Sequence, residues 1–283
     1  MTNMANMLAE RIKNVTLTKS QRKIADYFIQ NQDRIGGLSL QEAAAETGVS
    51  DASIIRFARA IGFKGYADLK DSAYDMLVKN AASGMSLAER MTSNKEKYQT
   101  DNTELQFREL IQQNVLSVFH DNKPEDFETA VDCLVGAKSK YVIGLRGCKG
   151  VAFQFGRLLS FMTPGVMVIT DDDCNSINSM QDASGEDTVI MFVFSRFYYI
   201  DLNYMKMARK RGCKVIMVVN DATGPLSAYA DVILMVGAAN LSFFNSAIGA
   251  DVVAEYLLNL ISEKVDFKDR MAERDAMTED QRL

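Results

Sequence analysis

The amino-acid sequence predicts two domains in series: an all-α domain, followed by an α/β domain with a doubly wound, five-stranded parallel sheet. The first observation is helical periodicity, without strand-like runs, over about the first 80 residues. The second is a set of five short apolar runs, separated by segments of helical character: YVIGL, VMVIT, TVIMFVF, KVIMVV and DVILMV. Continuously apolar strands that alternate with helices are typical of a parallel sheet with helices on both faces.

Length and composition agree with two globular domains. The chain has 283 residues, of which 47% are hydrophobic and 24% are charged, as is typical of soluble proteins. No uncharged apolar stretch approaches the roughly 20 residues of a membrane span, and the N-terminus lacks the apolar core of a secretion signal. We therefore predict a cytoplasmic protein with no membrane contact.

Cysteine and histidine usage limits the chemistry that the chain can support. The 4 cysteines show no CxxC spacing, and the chain contains 1 histidine. This pattern favours reduced thiols over a disulfide framework or a metal centre. We predict no metal site and no cofactor.

The first domain is predicted to span residues 1–79 and to contain four helices. Their predicted bounds are Ser20–Asn31, Leu40–Glu46, Asp51–Ile61 and Tyr66–Lys79. Thr18, Ser39 and Ser50 are predicted to be the N-cap residues of the first three helices. A side-chain oxygen at the N-cap accepts a hydrogen bond from one of the first backbone N–H groups, which have no partner within the helix. Glycines follow the second and third helices, as is typical of a helix C-terminus.

The rest of the chain is predicted to form three parts. Residues 80–101 lose helical periodicity and collect Ser, Thr, Asn, Lys and Glu, which predicts a linker. The second domain is predicted over residues 102–263, and residues 264–283 form a charged C-terminal tail. The predicted helices on either side of the strands are Glu104–Phe119, Glu125–Val135 and Phe243–Ser262.

A sharp turn joins the second and third predicted helices. Gly48 permits the positive φ that such a turn requires, and Val49 fills the angle between the two helices. At 100° per residue, Ile54, Phe57 and Ile61 share one face of the third helix, which must be its core face. The pattern predicts a helix-turn-helix.

The opposite face of that third helix is small, polar and basic, as a helix that enters the major groove requires. Residues 1–80 carry 11 Lys and Arg against 9 Asp and Glu, although the whole chain has a net charge of −5. The predicted DNA-contacting residues are Ser50, Ala52, Ser53, Arg56, Arg59 and Lys64. Arg56 and Arg59 are candidates for guanine or phosphate contacts, and the alternative is a plain helical hairpin with a solvated basic face.

The runs LTKSQRKIADYFIQN and SLQEAAAETGVSDASIIRFARAIGFKGYADLK resemble the N-terminal domain of the RpiR family of bacterial transcriptional regulators. The matching features are Ser50 through Arg56 and the motif Ile-Gly-Phe-Lys-Gly-Tyr at residues 61–66. Members of this family join a helix-turn-helix domain to a sugar isomerase (SIS) domain that binds phosphosugars or related acids. The strand–helix pattern of the second half is similar to that domain, so the resemblance implies an SIS-like fold.

An effector site is expected where the strands end, because ligands of open α/β sheets bind beyond the carboxyl ends of the strands. The first such end is the glycine-rich turn Gly144–Gly150, which leads into a helix whose N-terminal N–H groups favour an anion. The second is Phe194–Tyr199, after the third strand. The predicted effector-binding residues are Arg146, Gly147, Cys148, Lys149, Ser195, Arg196 and Tyr198.

These loops depart from the pattern common in the family, which has serines in the first loop and Ser-x-Ser-Gly-x-Thr in the second. Gly147 and Cys148 stand in place of paired serines. In the second loop Val193 replaces the first serine, Arg196 replaces the glycine and Tyr198 replaces the threonine. The arginines still favour an anion, and the alternative is a domain that only dimerises.

The resemblance and the two sites together predict a transcriptional regulator rather than an enzyme. Its partners are double-stranded operator DNA and a small anionic metabolite, such as a phosphorylated sugar or a sugar acid, that modulates operator binding. We expect a homodimer or homotetramer, because paired reading helices multiply the affinity for a two-fold symmetric DNA site.

Two other functions are compatible with an α/β domain of this kind. A sugar-phosphate isomerase needs a positioned acid or base, but His120 lies outside the strand-end loops, which contain no glutamate. A dinucleotide-sensing repressor would hold pyrophosphate on Gly144–Gly150 and a ribose on Asp171–Asp173. The GxGxxG pattern of dinucleotide-binding proteins requires a glycine at the position of Arg146, which counts against the dinucleotide-sensing function.

Overall fold

The computed structural model describes residues 4–13, 15–31, 35, 38–73, 86–98, 102–171 and 176–278. The chain divides into two compact units, whose main parts are Met1–Gly84 and the residues from Met85 onward. Each unit has a hydrophobic core of its own. An all-α unit therefore precedes an α/β unit, as the sequence predicts.

The first unit is built from helices around one core. Its helices are α1 (Met4–Lys13), α2 (Lys19–Gln30), α3 (Leu40–Thr47) and α4 (Asp51–Ala60). The ring centroid of Phe28 lies 6.0 Å from that of Phe57 and 6.3 Å from that of Tyr66. Burial of each such side chain contributes about 1.5–3 kcal/mol to stability. Since the three rings come from different parts of the unit, their packing holds α2, α4 and the residues after α4 together.

The helix ends of this unit follow the signals in the sequence. Thr18 and Ser39 each form a reciprocal capping box at the start of a helix. Ser50 occupies the N-cap position of α4 but makes no side-chain cap hydrogen bond. The predicted fourth helix is helical over residues 66–73, and its remaining part, 74–79, lies outside the described residues.

The second unit contains a five-stranded parallel sheet. Its strands are β1 (Lys140–Gly144), β2 (Val166–Ile169), β3 (Thr188–Val193), β4 (Lys214–Val219) and β5 (Val232–Met235), in the order β2-β1-β3-β4-β5. All pairs are parallel, and β1 and β3 are buried along their whole length, which accounts for their continuous apolar runs. The predicted doubly wound sheet is confirmed.

The helices of the second unit pack around this sheet or precede it. They are α5 (Leu87–Lys97), α6 (Thr103–His120), α7 (Pro124–Gly136), α8 (Lys149–Met162), α9 (Tyr199–Arg211), α10 (Ile248–Lys264) and α11 (Lys268–Thr278). In this strand order the winding reverses between β1 and β3, so the loops that follow these two strands border the crevice where ligands of such sheets bind.

The predicted linker, residues 80–101, contains a helix. α5 opens with a complete capping box between Ser86 and Glu89. This Ser-x-x-Glu signature is present in the sequence, but the polar composition around it favoured a linker. Residues 80–85 and 99–101 lie outside the described residues.

The predicted helix Phe243–Ser262 begins later than expected, at Ile248. The backbone before it is held in a different way, since Ser246 N donates a hydrogen bond to Ala238 O at 3.0 Å. Because that N–H group bonds across a turn of the chain, the residues just before Ile248 cannot continue the helical ladder. The predicted C-terminal tail is helical over α11.

Among the described residues, no helix is both long enough and apolar enough to cross a membrane. Within the same residues, His, Cys, Asp and Glu side chains form no group of three or more that could hold a metal ion. Asp172 and Asp173, which belong to the dinucleotide hypothesis, lie outside the described residues.

Candidate functional site

The helix α4 has one buried face and one exposed face. Ile54 and Phe57 are fully buried, whereas Ala52, Arg56 and Arg59 are exposed, as the helical wheel predicts. The buried face anchors the helix in the core of its unit. The exposed side chains therefore project from a fixed backbone.

The turn before α4 depends on Gly48. This residue ends α3 with a φ of 62°, in the left-handed region that costs other L-residues about 1–2 kcal/mol. A Cβ atom at this position would also come within 2.9 Å of Lys23 Nζ. Val49, which the sequence analysis placed in the angle between the helices, is half-buried.

The polar residues predicted to contact DNA form two short hydrogen-bonded groups. Ser50 Oγ and Ser53 Oγ lie 3.0 Å apart, and Arg56 Nη2 donates to Ser53 Oγ at 3.2 Å. Arg59 Nε donates to Lys64 O at 3.3 Å. Because a hydroxyl and a backbone carbonyl do not offset the charge of a guanidinium, both arginines can attract base edges or phosphates.

Arg11, in α1, supports the C-terminal end of α4. Its Nη1 donates to Ile61 O at 3.2 Å and to Gly62 O at 3.3 Å, and its guanidinium lies 4.3 Å from the ring centroid of Phe63. A cation at a helix C-terminus complements the helix dipole, so Arg11 positions the end of α4. The sequence analysis missed this residue because its partners lie 50 and 51 positions away.

A second basic surface lies at the start of α2. Lys19, Arg22 and Lys23 line an open cavity of about 440 Å³, together with Leu17 and Asp26. Lys23 is also the residue beside the turn before α4, so this surface extends to that turn. The sequence analysis missed these residues, although three cations at the start of one helix were visible in the sequence.

In the second unit, Arg146 is bound by a buried carboxylate. It follows β1 with a left-handed φ of 52°, and its Nη2 lies 2.8 Å from Oδ1 and 2.6 Å from Oδ2 of Asp201. Asp201, in the first turn of α9, is fully buried. An anion that uses this guanidinium has to compete with Asp201. The sequence analysis missed Asp201, since 55 positions separate the two residues.

The other predicted residues of the first loop differ in accessibility. Gly147 is exposed and Lys149 is half-buried, whereas Cys148 is only 3% exposed. Burial raises the pKa of the Cys148 thiol to about 12, so the thiol is neutral near pH 7. A Cβ atom on Gly144 would come within 2.5 Å of Cys148 O, so the close approach of this loop to β1 requires glycine there.

The loop after β3 is joined to the end of β4. Ser195 N donates to Asn220 Oδ1 at 2.7 Å, and Asn220 Nδ2 donates to Ser195 Oγ at 3.1 Å. Arg196 has a left-handed φ of 84° in the position where glycine is common in the family. Tyr198 is 43% exposed. The structure thus brings Ser195 together with Asn220, a residue that the sequence analysis did not single out.

Asn220 also lines a cavity of about 440 Å³ on the β4 and β5 side of the sheet. This cavity lies between α5 and the residues that follow β5. Its wall carries the charged side chains of Arg90, Lys97 and Asp121. The sequence analysis did not predict this feature.

Comparison with known proteins gives a family for the first unit. Residues 2–78 match the model of the helix-turn-helix domain of the rpiR family. A protein of Haemophilus influenzae that is named as an HTH-type transcriptional regulator is 26% identical over 254 residues, which cover 87% of this chain and 84% of that protein. YfhH of Escherichia coli, also named as an HTH-type transcriptional regulator, is 39% identical over 67 residues, which cover 24% of each chain.

Two solved structures share the fold. The sugar isomerase domain of an RpiR transcription factor from Sphaerobacter thermophilus superposes with a TM-score of 0.57 at 20% identity, covering 64% of this chain and 99% of that one. The NanR protein of Vibrio vulnificus, solved in complex with ManNAc-6P, gives a TM-score of 0.55 at 18% identity, covering 99% of this chain and 100% of that one. At these identities the likeness shows the fold, which is SIS-like in the second unit.

An exposed basic helix after a glycine turn, joined along the chain to an SIS-like α/β unit, defines a helix-turn-helix transcriptional regulator. The match over residues 2–78 and the relatives that cover most of the chain have the same assignment. The resemblance to the RpiR family that the sequence indicates is confirmed over the first unit, where residues 2–78 match the helix-turn-helix domain of that family.

Proposed function

We propose that this regulator binds operator DNA through α4 and the residues beside it, and that a small anionic metabolite in the SIS-like domain changes the affinity for that DNA. The observation that carries the DNA contacts is the exposed pair Arg56 and Arg59 on a helix whose opposite face is fully buried. The proposed DNA-contacting residues are Ser50, Ala52, Ser53, Arg56, Arg59 and Lys64, with Lys19, Arg22 and Lys23 as further phosphate contacts. Phosphate contacts supply much of the affinity and base contacts supply the specificity.

The effector is proposed to bind where the strands of the SIS-like sheet end. The proposed residues are Arg146, Gly147, Cys148, Lys149, Ser195, Arg196 and Tyr198. NanR of Vibrio vulnificus shares the fold over 99% of this chain and was solved with ManNAc-6P, which supports a phosphorylated sugar as the ligand class. Of the two arginines, Arg196 is the better candidate for the anion, because Arg146 is already paired with Asp201.

We further propose that the protein is a cytoplasmic homodimer or homotetramer. Leu105, Leu116 and Phe119 of α6 are 48%, 66% and 53% exposed, and exposed apolar clusters are typical of protein interfaces. A dimer would present two α4 helices to a two-fold symmetric DNA site. Light scattering on the purified protein measures the mass, and a monomer at micromolar concentration would contradict this proposal.

We propose no catalytic activity for the SIS-like domain. Isomerase chemistry needs an acid or base held at the substrate, and the side chain of His120 is 88% exposed at the end of α6, with Nδ1 at 2.8 Å from Asp121 Oδ1. The relatives that cover most of the chain are named as regulators. Incubation with aldose and ketose phosphates tests the proposal, and the expected turnover is none.

Titration of the DNA upstream of its own gene tests the regulator function as a whole. Fluorescence anisotropy is expected to show specific, salt-sensitive binding that changes when a sugar phosphate or sugar acid is added. Arg196→Gly, which suits the left-handed backbone, is expected to abolish the metabolite response. Arg108→Ala, which removes an exposed cation of α6, serves as the control. Absence of specific binding with and without metabolite would contradict the proposed function.

A further inference from the structure

Residues 236–247, called the post-β5 segment below, connect β5 to α10. Together with the end of β5, the segment is fixed on one side by α6 and by Asn122, which follows that helix. Asn114 Nδ2 donates to Ala239 O at 2.9 Å, and Ala239 N donates to Asn114 Oδ1 at 3.0 Å. Asn122 makes the same two bonds to Met235, at 2.7 Å and 2.6 Å. Each amide thus satisfies both backbone groups of one residue, as a neighbouring strand would, and the path of the segment is set.

α5 contacts the other side of the post-β5 segment through polar side chains. Arg90 Nη1 donates to Asn245 Oδ1 at 3.3 Å. Asn94 Nδ2 donates to Asn240 O at 3.1 Å and also to Ser242 O. No described residue of α5 is buried, so hydrogen bonds rather than a hydrophobic core hold this helix. α5 is therefore an attached element that can leave its place without opening the core.

The cavity of about 440 Å³ lies between these two elements. α5 contributes the cations Arg90 and Lys97 to the wall, and Asp121 contributes a carboxylate. The post-β5 segment contributes Phe243 and Phe244, whose rings are 40% and 53% exposed. The volume falls within the range of about 300–1,000 Å³ that is typical of small-molecule sites.

The wall chemistry defines the class of ligand. Asn94, Asn220, Asn240 and Asn245 are among the lining residues, and an amide, with two donor hydrogens and an acceptor oxygen, has hydrogen-bonding capacity for a hydroxyl group beyond a single internal bond. Aromatic rings offer apolar faces to the C–H faces of a sugar ring. Two cations against one carboxylate favour a ligand with one anionic group. The combination fits a polyhydroxylated anion, with either a carboxylate or a phosphate.

We infer that this cavity binds such an anion and that the bound ligand holds α5 against the post-β5 segment. The inference rests on the proposed function, because it takes the ligand to be the effector and extends the proposed effector site from Ser195, through Asn220, into this cavity. A ligand between the two elements gains its contacts with both only while α5 is docked, so binding favours the docked arrangement. Along the chain, α5 stands between the DNA-binding unit and the sheet. Docking of α5 is therefore a route by which bound effector can influence the DNA-binding unit. Asn220, bonded to Ser195, joins this cavity to the loop after β3.

Binding measurements on the full chain test the site. The probes are D-glucose, D-gluconate, D-glucose 6-phosphate and inorganic phosphate, followed by calorimetry. We expect gluconate or glucose 6-phosphate to bind, and glucose and inorganic phosphate to bind more weakly; the two sugar anions distinguish a carboxylate from a phosphate. Lys97→Ala, at an exposed position of the wall, is expected to weaken binding about tenfold. Lys95→Ala is the matched control, because it removes a cation from the same helix outside the cavity wall.

Hydrogen exchange tests the docking of α5. Addition of the probe that binds is expected to slow amide exchange over residues 87–97 in the wild type and in Lys95→Ala, and to slow it less in Lys97→Ala. A second variant, Asn245→Ala, removes the side-chain acceptor of Arg90 and is expected to raise exchange in α5 without ligand.

The outcomes separate this inference from the proposed function. If a probe binds and alters DNA affinity but binds Lys97→Ala and Asn245→Ala as tightly as the wild type, this inference is wrong and the proposed function stands. The inference is also wrong if the probe leaves the exchange of α5 unchanged. If no probe binds the wild type, the inference fails, and an unchanged DNA affinity across a wider metabolite panel then contradicts the proposed function as well.

Discussion

Arginines stand in both candidate sites, but the two units hold them in different ways. Arg56 and Arg59 project from α4 toward uncharged partners at 3.2 Å and 3.3 Å. Arg146, in contrast, is bound to both oxygens of Asp201, a carboxylate with no exposed surface. A guanidinium with neutral partners is fully available to phosphates and base edges, whereas a ligand of a guanidinium that is paired with a buried carboxylate has to compete with that carboxylate.

This difference shows what a charged residue in a promising loop does and does not imply. Residue type and loop position predict that a charge is present. Whether the charge serves a ligand depends on the partner that folding brings to it. Four predictions test this contrast. Two compare a charge that is already paired with charges that are available, and two compare α4, which is anchored in a core, with α5, which is held by polar contacts.

The largest expected effect concerns the engaged arginine. Arg146→Leu removes the cation that binds both oxygens of the buried Asp201 carboxylate, and we expect the free energy of unfolding to fall by about 3 kcal/mol. Urea unfolding followed by circular dichroism measures this loss. The double variant Arg146→Leu with Asp201→Leu removes both charges and is expected to lose less than the single variant. A single variant as stable as the wild type would contradict a stabilising role for this ion pair.

The next effect concerns the available arginines. We expect Arg56→Ala and Arg59→Ala each to weaken operator binding by about 1–3 kcal/mol if the side chain reads a base. If it contacts a phosphate, the salt dependence of binding falls by about one unit of slope instead. Anisotropy titrations at several salt concentrations separate the two roles. Unchanged affinity and unchanged salt slope in both variants would remove α4 from the DNA contact.

The first unit was predictable because its determinants are local. Ile54 and Phe57 share a helix face by their spacing of three residues, and Gly48 makes the turn by its own backbone freedom. Both features are read within a short window of sequence. Arg11 was not predictable, because it reaches the end of α4 from 50 positions away.

In the second unit, the strands were predictable and the site partners were not. Apolar runs identify buried parallel strands by composition alone, but Asp201 and Asn220 acquire their roles only when the sheet brings distant loops together. Asn114 is a similar case, since a buried asparagine that pairs with a backbone 125 positions away leaves no pattern. α5 was missed for a different reason: its helix is held by polar contacts, so it lacks the apolar stripe on which helix prediction depends.

A smaller effect is expected at the turn that aims α4. Gly48→Ala places a Cβ in the left-handed region and close to Lys23, so the free energy of unfolding is expected to fall by about 1–2 kcal/mol. Gly65→Ala is the matched control in the same unit, because a Cβ there meets nothing within 4 Å. Thermal unfolding compares the two variants, and equal stability would mean that the turn tolerates an ordinary residue.

The smallest effect concerns the attached helix α5 and its dependence on pH. Hydrogen bonding to the backbone N–H of Ser86, at 2.6 Å, and to the Ser86 side chain lowers the pKa of Glu89 below the usual value for glutamate. The cap is therefore fully formed near neutral pH and is lost as the pH falls through this lowered pKa. Hydrogen exchange of the α5 amides, corrected for intrinsic rates, is expected to quicken in acid.

Glu89→Gln separates the cap from other effects of acid. A glutamine still accepts the hydrogen bond from Ser86 but does not titrate, so exchange in α5 of this variant is expected to stay level over the same pH range. Glu89→Ala is expected to exchange faster at every pH. If acid loosens α5 while the core strands keep their protection, the helix opens as a separate unit. Separate opening of α5 is what ligand control of this helix requires. Exchange that rises equally in α5 and in the strands would show that α5 does not open separately.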